Sequence, residues 1–228
     1  MEIGSAEWEN IIISGARVFD INLGLKEVGQ FSIHAGELVK WNAKINLTSI
    51  TDPFEVAVKH FIDSIAPAGI IPAGASMLDI GSGGGFPGIP LKVVIPSLSV
   101  SLADSSRKKI TFLKHVIRTI GLEDIEAVQG RAEELANGAK LFDVIICRAF
   151  SSLEMFVGSA LPLLAPNGII ISLKGKINPE EIEAVRASGD KKRGAGKTSG
   201  LPIDIKIKKY LLPYIDSERT LMIIKKLR

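Results

Sequence analysis

A single cysteine, Cys147, stands in 228 residues, so no internal disulfide forms and folding does not require an oxidising compartment. Aromatic residues are scarce at 6%, and there are only three histidines, His34, His60 and His115. No cluster of His, Cys and carboxylates has metal-ligand spacing, and no metal is expected. Charge of one sign is nearly absent in the balance, with 28 Lys and Arg against 25 Asp and Glu giving +3. Bulk electrostatics therefore point to no partner. The start of the chain carries Glu2, Glu7 and Glu9 and lacks the basic opening and apolar run of a signal peptide. One run, Met155 to Leu173, has nineteen residues without a charge, enough to suggest a membrane span. Pro162, Pro166, Asn167 and Gly168 break it into a helix end, a turn and a new strand, so a cytoplasmic protein is expected.

What is present is the ordinary mix of a globular chain, 46% hydrophobic and 23% charged, which excludes disordered and fibrous classes. The charge is unevenly placed. Residues 172–228 hold 14 basic and 7 acidic residues, leaving 14 and 18 for the first 171. A basic C-terminal part on an acidic body suits a polyanion approached from one side.

No internal repeat is visible. Residues 1–70 read as a helical extension: Leu38, Trp41 and Ile45 share one helical face, and Phe54, Val58, Phe61 and Ile65 keep the helical period. Asp52-Pro53-Phe54-Glu55 opens the latter helix with an N-cap, a proline at the first position and an acid. Pro67, Gly69, Pro72 and Gly74 then break the chain, and residues 71–228 form the second unit. Strands are expected at 76–80, 98–104, 125–129, 142–147 and 168–173, with helices near 88–95, 106–120, 131–137 and 152–164. This alternation predicts an α/β doubly wound, mainly parallel sheet. After a helix opened by Asn178-Pro179-Glu180-Glu181, strands at 203–212 and 219–226 are too close for a crossover and must pair antiparallel. A parallel sheet closed by such a hairpin separates S-adenosylmethionine-dependent methyltransferases from nicotinamide-binding sheets, by analogy of fold.

The strongest local signal runs from Leu78 to Gly88, where Asp79-Ile80-Gly81-Ser82-Gly83-Gly84-Gly85-Phe86-Pro87 leaves the first strand and enters a helix. Five glycines in eight residues cost backbone entropy that packing alone would not require. Gly83, Gly85 and Gly88 also satisfy the dinucleotide spacing, so the glycines alone do not select a ligand. Asp79, two residues before the first glycine, can engage a cationic or amino-bearing ligand, and Pro87 removes an amide that a pyrophosphate would use. Asp104, ending the second strand, is placed for ribose hydroxyls or, more simply, as a helix N-cap. The backbone of Gly130-Arg131-Ala132-Glu133-Glu134 and the Glu133 side chain, after the third strand, lie at the sheet's carboxyl edge, where an adenine ring can be held, although charges on a surface helix read the same. Arg148 follows the fourth strand, with a fork suited to a carboxylate, a phosphate or a guanine edge, or to a buried pair with Asp79 or Asp104. Cys147 reads as a small apolar strand residue rather than a nucleophile. His60 and Asp63 share a helix face opposite the apolar one and can point into the crevice; His34 and His115 have no such company. Lys191-Lys192-Arg193-Gly194-Ala195-Gly196-Lys197-Thr198 lacks the strand and first glycine of a phosphate-binding loop, and its four basic residues suit nucleic-acid phosphates or solvent equally.

Several of these segments together resemble the bacterial 16S rRNA guanine-N7 methyltransferases (RsmG, also called GidB). They are Lys40-Trp41-Asn42-Ala43-Lys44-Ile45-Asn46-Leu47-Thr48, His60-Phe61-Ile62-Asp63-Ser64, the Asp79 to Pro90 turn, Asp104-Ser105, Arg131-Ala132-Glu133-Glu134, Arg148-Ala149-Phe150 and Leu173-Lys174-Gly175. The match covers about 38–176. The resemblance implies transfer of a methyl group from S-adenosylmethionine to N7 of one guanosine in small-subunit rRNA. It implies a cofactor site at Gly81, Phe86, Ala132, Glu133 and Arg148, with Asp79, Gly83, Gly85 and Asp104 lining the same pocket. Arg148, Phe150 and Lys174 are the expected residues at the target base: Arg148 or Lys174 on guanine O6 or a phosphate, Phe150 stacked on the ring. The expected partner is 16S rRNA or the small-subunit particle, bound by a monomer. The alternative is a methyltransferase acting on a small molecule or protein. A nicotinamide-binding or purely RNA-binding protein is the rival from another class.

Overall fold

The computed structural model describes residues 1–136, 140–148, 152–188 and 203–227. Helix α1 (Ala6–Arg17) opens on Ser5, whose Oγ accepts from the Trp8 amide at 3.3 Å, and buries Trp8 and Ile12. Helix α2 (Leu25–Ile45) buries Phe31, His34 and Leu38 and ends on Asn46 in the left-handed conformation. Helix α3 (Pro53–Glu55) has the expected Asp52 cap, Oδ1 accepting from the Glu55 amide at 2.9 Å. It runs on into a π-helical segment, Val56–Ile62, and then α4 (Asp63–Ile65). π-Helical turns are rare and concentrate at functional sites.

The strands are β1 (Ser76–Ile80), β2 (Ser99–Asp104), β3 (Ile125–Gln129), β4 (Phe142–Arg148), β5 (Leu164–Lys174), β6 (Ile203–Leu212) and β7 (Ser217–Lys226). They form one seven-stranded sheet in the order β3-β2-β1-β4-β5-β7-β6. The first five are parallel, joined through α5 (Gly88–Val94), α6 (Arg107–Thr119), α7 (Ala132–Leu135) and α8 (Leu153–Ala160); β7 is antiparallel to both β5 and β6. Helix α9 (Pro179–Ser188) precedes β6. Successive strand residues alternate between the faces: Met77, Val144 and Ile146 pack with Trp8, Phe31 and Phe61, while Leu78, Ile145 and Cys147 pack with Phe156 and Met222. Both faces of the central strands are covered, which is why β4 and β5 carry the apolar runs Val144–Cys147 and Ile169–Ile171.

The uncharged run at 155–173 is α8, a 3-10 turn at Leu161–Leu163 and β5. β5 begins four residues before the expected start. The difference is a register shift: Phe142 pairs with Leu164 but Val144 with Ile169, so Pro166 and Gly168 sit in a bulge. Among the described residues no helix is long and apolar enough to cross a membrane.

Candidate active site

The glycine turn leaves β1 at the point where the sheet's winding reverses between β1 and β4. Gly81, Gly83 and Gly85 have φ of 75°, 53° and 90°, the left-handed region that side chains disfavour. The glycines do two different things. A Cβ at Gly81 would meet nothing within 4 Å, so the turn's outer side is open to a ligand. A Cβ at Gly88 would lie 2.3 Å from Leu102 Cδ2 and 2.7 Å from Asp79 Oδ2, so that glycine lets helix α5 close against the sheet. Asp104 braces the turn: Oδ2 accepts from the Gly83 amide at 3.1 Å and Oδ1 from the Ser106 amide at 2.8 Å. Asp79 is fully buried. Its Oδ2 accepts from the Gly88 amide at 2.9 Å, while Oδ1 is buried without a partner. Burial pushes its carboxyl up to about 7. Ala132 is buried behind β3, and Glu133 accepts from Ser159 Oγ of α8 at 2.5 Å.

Asp79 is in register with Ile146, so two residues on, Gly81 and Arg148 stand side by side at the sheet's carboxyl edge. Arg148 forms no ion pair with Asp79 or Asp104. It turns to the N-terminal helices instead, Nη1 donating to the Lys59 carbonyl at 2.9 Å and Nη2 to His60 Nδ1 at 3.0 Å. Its guanidinium also lies 5.0 Å from the centroid of the Phe86 ring, a cation–π arrangement. Because arginine only donates, His60 Nδ1 accepts, and the ring proton sits on Nε2, 2.8 Å from Thr48 Oγ1. Burial, with Arg148 alongside, lowers His60 to about 3, so the ring is neutral. The His60 ring stacks on Phe86 at 4.6 Å, and His34 stacks on the same ring at 4.7 Å. Phe86 itself is buried, leaving its backbone as the part nearest a ligand.

His34 and His115, isolated in the sequence, are both engaged. His34 is fully buried, its Nε2 2.8 Å from the Gly84 carbonyl of the glycine turn, and burial lowers it to about 4. His115 Nε2 lies 2.8 Å from Glu37 Oε2. These contacts join residues 50 and 78 positions apart, and local spacing carries no signal of them. Cys147 is fully buried in the strand, with Sγ 3.6 Å from Ser172 Oγ.

Beside Arg148 a cavity of about 580 Å³ opens between the N-terminal helices and the ends of β4, β5 and β7. Its walls include Lys59, Arg148, Lys174, Lys176 and Arg219, with Asp63 as the one carboxylate among the lining residues. Lys174 is paired with Glu181 of α9, and Lys59 with Glu55 at 2.5 Å. Asp63 Oδ1 accepts from Tyr210 Oη at 2.7 Å and lies 3.6 Å from Arg219 Nε. His60 and Asp63 thus do line the crevice; Arg219, which also lines it, and Tyr210, which holds Asp63, are not legible as site residues in the sequence. Phe150 and the basic loop at 191–198 lie outside the described residues.

A family model described as rRNA small subunit methyltransferase G matches residues 27–198. The chain belongs to that family. The rRNA small subunit methyltransferase G match extends the resemblance read over 38–176 at both ends. A relative with the same description from Geobacter metallireducens is 44% identical over 79% of this chain and 82% of its own. Another, from Geobacter sulfurreducens, is 40% identical over 93% of this chain and 94% of its own. Among solved structures, a ribosomal protein L11 methylase from Lactobacillus delbrueckii subsp. bulgaricus is similar in fold, with a TM-score of 0.54 at 17% identity over 74% of this chain and 79% of that one.

Proposed function

We propose that this chain transfers a methyl group from S-adenosylmethionine to N7 of one guanosine in the 16S rRNA of the small ribosomal subunit. Membership in the family carries the coarser part, an S-adenosylmethionine-dependent methyltransferase of small-subunit rRNA. The observation that supports a ligand at the glycine turn is the pairing of an open Gly81 with the unpartnered, buried Asp79 Oδ1. An amino group is what such an acceptor lacks, and the methionine part of the cofactor has one. Asp79, Gly81, Gly83, Gly85 and the Phe86 backbone would hold that part, Asp104 the ribose, and Ala132 and Glu133 the adenine. When bound, S-adenosylmethionine supplies an electrophilic methyl group on a sulfonium sulfur.

Guanine N7 presents a lone pair and carries no proton, so the chain needs no general base. Its residues have to hold N7 in line with the methyl group and keep competing nucleophiles out, which is catalysis by positioning. Arg148 stands between the glycine turn and the cationic cavity, fixed by Lys59, His60 and Phe86. There it serves both sides, as part of the cofactor wall and as a donor to guanine O6. Lys174 and Phe150 complete the target side, Lys174 on a phosphate or O6 and Phe150 on the base. Lys176 and Arg219 give the cavity its attraction for phosphate.

In this reading residues 1–70 are the helical extension that supplies Lys59, His60 and Asp63, and 71–228 are the methyltransferase domain. One copy holds both the turn and the cavity, which supports a monomer as the working form, acting in the cytoplasm where its ribosomal substrate is made. The test is transfer of tritiated methyl from S-adenosylmethionine to 16S rRNA or 30S particles isolated from a strain lacking the enzyme. Salt-sensitive labelling of the RNA supports the reading; cofactor binding without label on either substrate overturns the ribosomal acceptor.

A further inference from the structure

We propose that Asp63 is the residue that reads the target base, accepting hydrogen bonds from guanine N1–H and the exocyclic N2 amino group through Oδ2. This rests on the methyl-transfer reading above and goes beyond it, because that reading leaves the N1–H and N2 amino donors of the guanine without a partner.

The cavity poses the problem. Its wall is cationic, as phosphate binding requires, yet it includes a carboxylate that phosphate would repel. Asp63 is almost fully buried, and its side chain is held rather than free: Tyr210 Oη fixes Oδ1 at 2.7 Å, and Arg219 Nε stands 3.6 Å from the same oxygen. Oδ2 has no partner among the described residues, and it is not among the buried side-chain atoms left without a hydrogen bond, so it keeps some exposure. Asp63 is the one carboxylate among the lining residues, and this second oxygen is left free to accept there.

Nucleobase chemistry selects what fills it. Burial raises the Asp63 carboxyl, while the charges of Arg148 and Arg219 and the Tyr210 hydroxyl favour its ionised form. Ionised, it only accepts, and guanine is the base that places two donors, N1–H and N2–H, side by side on its Watson–Crick edge. Adenine would bring its N1 lone pair against the same oxygen. The reaction supplies a second constraint. An arginine fork taking both guanine O6 and N7 is the commonest way to recognise this base, but it would occupy the nitrogen that must be methylated. Recognition has to come from the opposite edge. The layout agrees, for Arg148 lies over Phe86 of the glycine turn, whereas Asp63 is held by Tyr210 of β6 and Arg219 of β7. A guanine gripped at Asp63 therefore points its imidazole edge back toward the cofactor.

The experiment compares 30S particles reconstituted with 16S rRNA carrying either guanosine or inosine at the methylated position. Inosine keeps N7, O6 and N1–H and lacks only the N2 amino group. Wild-type protein is expected to methylate guanosine with kcat/KM about tenfold or more above inosine, the worth of a hydrogen bond to a charged group. Asp63→Asn, checked for unchanged melting and unchanged S-adenosylhomocysteine affinity, is expected to lower guanosine methylation about tenfold or more, to the inosine level, and so to bring the two substrates to parity. Wild-type rates equal for the two substrates overturn the inference, and this comparison needs no variant to fold. A guanosine-to-inosine ratio unchanged in Asp63→Asn overturns it as well, leaving Asp63 a structural partner of Tyr210 and Arg219. Absence of methylation on the guanosine particle itself would instead count against the methyl-transfer reading, and the inference would fall with it.

Discussion

His60 Nδ1 accepts a hydrogen bond from Arg148 Nη2 across 3.0 Å, although the two residues are 88 positions apart. The contact ties a helix of the N-terminal part to the carboxyl end of a central strand. It also gives Arg148 a fixed direction at the switch point, where a free guanidinium would sample many rotamers. Burial keeps the histidine neutral, so it serves as an acceptor and exerts no repulsion on its partner.

Two substitutions separate the halves of that ring. Asparagine places its oxygen where Nδ1 sits and keeps the bond to Arg148; glutamine places its nitrogen where Nε2 sits and keeps only the bond to Thr48. His60→Asn is expected to retain methylation within a few-fold of wild type, while His60→Gln loses about tenfold in kcat/KM, roughly one charge-assisted hydrogen bond. His60→Asn should bind S-adenosylhomocysteine as wild type does, while His60→Gln, which frees Arg148 of the proposed cofactor wall, should bind it more weakly. The reverse order of activity would show that Thr48, not Arg148, is the partner that matters.

The glycines make a second contrast. Alanine at Gly81 enters open space but at φ 75°, a strain of about 1–2 kcal/mol, and it occupies the ligand side of the turn. Alanine at Gly88 collides with Leu102 and Asp79, an overpacking cost of about 1–3 kcal/mol. Gly81→Ala should therefore lose cofactor affinity beyond its modest fall in melting temperature. Gly88→Ala should lower the melting temperature by several degrees, roughly 2–4 °C per kcal/mol for a chain of this size. Calorimetric melting and cofactor titration of the two proteins check this together.

Much of the molecule is legible in the sequence because it is local. Strand alternation, the glycine turn after β1, the Asp52 cap and the closing hairpin are each written in a few adjacent residues. What the sequence conceals is long-range. The helix over 53–65 reads as amphipathic, but His60, Asp63 and Ser64 are as buried as Phe61 and Ile65. A helix covered on nearly every side gives no polar face to recognise, and the π-helical turn leaves no compositional mark. His34 on the Gly84 carbonyl and Tyr210 on Asp63 join residues 50 and 147 positions apart, which no spacing rule reaches. Asp104 reads from its position as a ribose ligand or a helix cap, and in the fold it also holds the Gly83 amide of the turn.

With the cofactor's amino group proposed at Asp79, binding is expected to depend on pH. Burial raises its carboxyl to about 7, so below that pH the site without ligand holds a proton. A cationic amino group at Oδ1 favours the ionised form and drives that proton off. Affinity for S-adenosylhomocysteine should therefore be constant above pH 7 and fall as pH drops below it, approaching tenfold per unit. Titration calorimetry in buffers of different ionisation enthalpy should find close to one proton released at pH 6 and almost none at pH 8. Asp79→Asn should bind more weakly and without this dependence. Flat affinity from pH 6 to 8 in the wild type would remove Asp79 from the amino-group site.

The atom that receives the methyl group is the most direct test of the proposed function. Small-subunit rRNA from a strain lacking the enzyme, incubated with this protein and S-adenosylmethionine, would be treated with borohydride and aniline, which cut the chain at N7-methylguanosine. One new cleavage in 16S rRNA is expected, and it should disappear when Arg148 is replaced by alanine. Methyl label in the RNA without any such cleavage would place the group on another atom and contradict transfer to guanine N7.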